Sequence, residues 1–87
     1  MNARYYQRLG PAIRRAQFRA AGVEIARESG LFAVTADAVS HRVGCHVNLV
    51  RRYMGNRLML ATAIANEAYR VQAYDVIREA RRLGLIQ

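Results

Sequence analysis

Apolar residues recur at helical spacing along most of the chain, and glycine and polar capping residues cut that pattern into pieces. The first piece runs from about residue 11 to 28. Pro11 suits a first helical turn, where its missing N–H costs nothing. Ile13, Phe18, Ala21, Gly22, Ile25 and Ala26 supply its apolar side, and Ser29-Gly30 ends it, with Gly30 able to take a left-handed cap. Leu31 and Phe32 follow as apolar residues that can fold back under the helices. Thr35 is a good N-cap for a short second helix over 36–43, with Val39 and Val43 facing inward. Gly44 closes it, and a third helix over 47–53 begins at once. Gly55-Asn56 breaks that one, and Asn56 caps the next.

The spacing predicts one long fourth helix over 57–82 with two apolar stripes. Leu60, Ile64, Ala68 and Val71 form the first, and Tyr69, Ala73, Val76, Ala80 and Leu83 the second. A helix in a small domain needs one stripe for its own core. The second is therefore expected to meet a partner, and Tyr69, Ala73, Val76, Ala80 and Leu83 are the candidate homodimer interface. Burial under the N-terminal arm is the other way to cover it. The expected fold is all-α: a single compact helical domain over 11–87, of about four helices, preceded by a basic arm over 1–10. The chain of 87 residues can bury one modest core.

Charge changes the picture from a fold to a partner. Fourteen basic residues oppose six acidic ones, for a formal charge of +8, and every basic residue is arginine. The lack of lysine is what a GC-rich genome gives, but codon usage does not explain the net charge. Arg4, Arg8, Arg14, Arg15 and Arg19 fall in a stretch, 1–23, without an acid, and Arg42, Arg51, Arg52 and Arg57 fall in a second, 38–66. Two basic blocks in a short chain are the electrostatic footprint of a polyanion binder.

The stretch 35–56, TADAVSHRVGCHVNLVRRYMGN, encodes two short helices joined by a tight turn at Gly44. Such a pair packs its first helix and projects its second into the major groove of double-stranded DNA, with the first residues of that helix at the base edges. Those residues are His46, Val47 and Asn48. Asn48 matches adenine bidentately, and Val47 suits a thymine methyl. Arg51, Arg52 and Tyr53 lie where the helix passes the backbone and suit phosphate. Arg57, at the start of the fourth helix, and Thr35 are further candidate phosphate contacts. Each has a plainer reading: His46 and Thr35 as caps, Asn48 as a solvent-facing residue, Arg57 as a solvated charge. Arg4 and Arg8, with Tyr5 and Tyr6, form either an arm that reaches the minor groove or a terminus without a DNA role.

On these residues the chain from about Phe18 to Leu60 resembles the DNA-binding domain of the TetR (tetracycline-repressor) family. That family reads roughly "ERG", then "TTVRDIAERAGVS", then "LYRYFGSKEAL". Here the matching runs are ESGLFAVTADAVSHRVGCH and LVRRYMGNRLML. Gly30, Thr35, Val39, Arg42, Gly44 and Leu60 fall on the pattern, as does the run from Arg52 to Arg57. Met54 replaces an aromatic, Leu58 replaces an acid, and Arg51 stands where the family often has a phosphate-binding tyrosine. The resemblance implies a sequence-specific transcriptional regulator, most simply a repressor. Family members usually continue into a helical ligand-binding and dimerisation domain. With no counterpart here, no small-molecule effector is expected, and dimerisation would fall to the fourth helix.

Other chemistry finds little support. There are no paired carboxylates, no phosphate-binding glycine loop and no nucleophile with a base at workable spacing, so no enzyme activity and no catalytic residue is expected. His41, Cys45 and His46 match no common zinc pattern, so neither metal nor cofactor is expected, and Cys45 is expected as a buried core thiol. A lone cysteine, no signal peptide and no apolar run able to cross a bilayer point to a cytoplasmic, nucleoid-associated protein without a membrane role. The alternatives kept open are a small protein-interaction module and a DNA-packaging or plasmid-maintenance protein built on the same motif.

Overall fold

The computed structural model describes residues 10–86, in which five α-helices and one short 3-10 turn follow one another with no strand. They are α1 (Pro11–Ser29), α2 (Ala36–Val43), α3 (Val47–Met54), α4 (Arg57–Arg70) and α5 (Tyr74–Arg82), with the 3-10 turn Leu31–Ala33 between α1 and α2. The arm expected over 1–10, including Arg4 and Arg8, lies outside the described residues except for Gly10.

The local boundaries have local causes. Pro11 opens α1, and the N–H of Gly30 closes it on the Ala26 carbonyl. Gly30 has the positive φ expected of it, 89°, but its ψ of 164° is extended rather than left-handed helical. Thr35 Oγ1 accepts the Ala38 N–H, and Gly44, at φ 84° and ψ 41°, is the left-handed cap that turns α2 into α3. Asn56 Oδ1 accepts the Met59 N–H at 2.9 Å and starts α4.

Helix α1 is the centre of the molecule. It packs against α2, α3, α4 and α5 and joins them through one apolar cluster. Phe18, Val34, Val39, Val50, Leu60, Ile64 and Val76 are its largest fully buried side chains. Gly22 lets α1 and α4 approach closely, since a Cβ there would lie 2.3 Å from Ile64 Cδ1. Ile13 and Val71, both expected in apolar stripes, are about half exposed, at 50% and 43%.

The long fourth helix is not continuous. It breaks at 71–73 into the α4–α5 hairpin. The Ala73 N–H reaches back to the Ala68 carbonyl, and Gln72 between them takes φ 58°. That closure is normally made by glycine, and a Cβ there is strained. The break brings α5 back over α1 and the 3-10 turn, where Glu79 Oε1 accepts the Leu31 N–H at 2.8 Å. Ala73, Val76 and Ala80 are therefore buried in the chain's own core, at 1% exposure or less. This corrects the expected dimer stripe: those three residues have no surface left for a second subunit. Tyr69 and Leu83 remain partly exposed.

A second buried device ties α1 to α4. Glu67, 8% exposed, is hydrogen-bonded by both Nε and Nη2 of Arg70 and lies 3.7 Å from Arg19 Nε. The Arg70 hydrogen bonds hold its carboxyl below the usual carboxylate range against the opposing effect of burial.

Candidate nucleic-acid interface

The candidate interface is built by α2, the Gly44 turn, α3 and the start of α4. Helix α3 buries Val50 and Met54 against the core and leaves Arg51 and Arg52 exposed. Its first turn is open as well, because His46 and Asn48 are exposed and Val47 is half-buried. The His46 ring caps the helix, with Nδ1 accepting the Asn48 N–H at 3.1 Å. One turn on, Arg51 Nη1 reaches back to Asn48 Oδ1 at 3.4 Å, so the two polar side chains share one face.

Tyr53 sits differently from its neighbours. It is half-buried, its ring lies 6.2 Å from that of Phe18, and the Arg15 guanidinium covers it at 5.5 Å from the ring centroid. The ring is thus a packing element at the rim of the core, a role the sequence did not show for Tyr53. The same packing sets Arg15, which had no site role in the sequence, beside α3. Only the acid-free charge of the segment 1–23 hinted at it.

A cleft of about 640 Å³ opens between the N-terminal ends of α2 and α4, lined by Thr35, Asp37, Arg51, Asn56 and Arg57 among others. It brings together Thr35, Arg51 and Arg57, three of the candidate phosphate contacts. Thr35 accepts its capping bond, so its hydroxyl proton is free to donate. Arg57 Nη2 donates to the Phe32 carbonyl at 2.8 Å, which fixes the guanidinium at the mouth of α4 and leaves donors over. Asp37 brings a carboxylate to the same cleft, so the cleft is not uniformly basic.

Arg42 is spent elsewhere. Its guanidinium forks onto Glu28 at 2.5 and 2.7 Å, tying α2 to the end of α1. That pair raises the Arg42 pKa and lowers that of Glu28, each through the shared hydrogen bonds. Cys45 is half-buried against the core, and burial pushes its thiol pKa up, with Arg14 pulling it the other way. Among the described residues, no group of three or more His, Cys, Asp or Glu side chains is placed to hold a metal ion. None of the described helices is long and apolar enough to cross a membrane.

Compared with known proteins, the chain matches no family model, no curated protein and no solved structure. Its function is therefore argued from its own residues and their arrangement.

Proposed function

We propose that this chain is a sequence-specific DNA-binding transcriptional regulator of helix-turn-helix type, most simply a TetR-like repressor acting in the cytoplasm at the nucleoid. The observation that carries this reading is the disposition of α3. Its apolar side, Val50 and Met54, is held by the core, while His46, Asn48, Arg51 and Arg52 face solvent on a helix without an acid. An α-helix anchored that way fits the major groove with its first turn at the base edges. Thr35 and Arg57 flank it at the ends of α2 and α4 and are suited to phosphate oxygens, which fix register without reading sequence.

The active species in this proposal is a homodimer, whose two copies of α3 read a two-fold site. The buried stripe cannot form the contact. The surface left for it carries Tyr69, Val71, Tyr74 and Leu83, all exposed on or beside α4 and α5. The same four residues favour a second reading, in which the domain docks on another protein. Their exposure is what a protein contact would cover.

The deciding experiment is titration against random-sequence duplex DNA and against a selected pool, at several salt concentrations. A regulator of this kind binds random DNA weakly, loses affinity steeply with salt, and enriches a short palindromic site by roughly a thousandfold or more. Salt-dependent binding without an enriched site would leave a packaging role. Absence of binding at low salt would overturn the proposal in favour of a protein partner.

A further inference from the structure

A neutral imidazole has one proton for two nitrogens, and a nitrogen that accepts a hydrogen bond cannot carry it. His46 Nδ1 accepts the Asn48 N–H at 3.1 Å. The proton of the neutral ring is therefore on Nε2, on the far side of an exposed side chain at the leading end of α3. We propose that His46 is a specificity-determining residue of the DNA interface, presenting a fixed Nε2–H donor that selects a guanine edge in the major groove. The inference rests on α3 being the recognition helix and goes beyond it by naming the atom and the base.

The choice of base follows from the groove. Guanine presents two acceptors there, N7 and O6, and no donor. Cytosine presents a donor, which opposes Nε2–H. Adenine pairs its N7 acceptor with a donor, and thymine sets its O4 beside a methyl group. A fixed donor is best matched by guanine. The cap alone does not account for histidine, because serine or asparagine caps at least as well with a shorter side chain. What the ring adds is reach and a second nitrogen whose state the backbone sets. Asn48 is the neighbouring reader, and its Oδ1 is already turned toward Arg51.

Two measurements on the full chain test this. Nitrogen-15 shifts and couplings of the His46 ring in the free protein, at a pH where the ring is neutral, are expected to show the Nε2–H tautomer. The Nδ1–H tautomer would overturn the proposal. Selection from a random DNA pool is then run with the wild type and with His46→Ser, which keeps a capping oxygen and removes the ring. The wild type is expected to prefer guanine by about tenfold at one position of each half-site. The variant is expected to keep its thermal stability and its preferences elsewhere while losing that one. A site enriched by the wild type and read identically by His46→Ser sinks the role of His46 alone. A wild type that enriches no sequence sinks the recognition-helix reading, and this inference with it.

Discussion

The α2–α3 half and the α4–α5 half of this domain are both pairs of helices folded against α1, yet their turns are made from different material. In the first half, every boundary carries its own chemical signal. Thr35 caps α2, Gly44 takes the left-handed turn, His46 caps α3, and Gly55 and Asn56 separate α3 from α4. In the second half, the turn is made by Val71, Gln72 and Ala73. Gln72 is the only non-glycine among the described residues with positive φ, and α5 starts without a side-chain cap. The first turn is written into local preference. The second is imposed by burial: the apolar contacts of Ala73, Val76, Ile77 and Ala80 outweigh the strain at Gln72. The halves also differ in what they leave exposed. Both halves expose arginines, but the first pairs them with the short polar side chains His46 and Asn48, and the second with the large apolar side chains Tyr69, Val71, Tyr74 and Leu83.

The largest test of this contrast is Val76→Asp. If α5 folds back as described, the substitution buries a carboxylate without a partner and costs about 3–5 kcal/mol. Thermal unfolding should then show a domain near the limit of folding. A straight helix over 57–82 would hold Val76 away from the core of one copy, and the variant would keep the wild-type melting temperature at low protein concentration.

Next in size is the comparison of the two carboxylates that join helices to α1. Glu67→Gln should cost about 1–2 kcal/mol, because a side chain 8% exposed loses a charge-assisted pair. Glu28→Gln should cost clearly less, because its pair with Arg42 is open to water. Both carboxyls have folded-state pKa values below the ordinary 4.5. Their stabilisation is complete above that value and is lost as pH falls through the lower folded-state values. Acid unfolding of Glu67→Gln should accordingly be shallower in that range, and equal slopes for wild type and variant would contradict the assignment.

On the DNA side, Arg57→Ala should weaken binding to all sequences alike and reduce the salt slope by about one, with stability little changed. A change in base preference would mean that Arg57 reads sequence. The smallest effect is expected at the hairpin itself. Gln72→Gly should raise stability by about 0.5–1 kcal/mol, since relief of the strained φ outweighs the added freedom of the unfolded chain. A loss of stability would show that the Gln72 side chain contributes more than its backbone costs.

Much of the geometry of the candidate interface was legible beforehand because its signals are short-range. A capping residue at 35, a glycine at 44 and a polar first turn after it each act within a few residues, so spacing alone was enough to place α2, the turn and α3. The packing of Tyr53 was not legible, because nothing local reveals that Phe18, thirty-five positions earlier, lies against its ring. Asp37 and Arg15 were missed at the candidate interface for the same reason. Their relevance comes from which helices meet, not from their neighbours in the chain.

The sequence by itself determined the helical class, the bounds of α2, the start of α3 and its end to within one residue, the caps that start them and the excess of arginine around them. These depend on backbone geometry and charge, which neighbouring residues settle. Only the tertiary structure decided that the last helix is two helices, and that Ala73, Val76 and Ala80 belong to the core rather than to a second subunit. An apolar stripe states that it must be covered. What covers it depends on where the chain can afford to bend, and here burial against α1 and the 3-10 turn outweighs one strained residue.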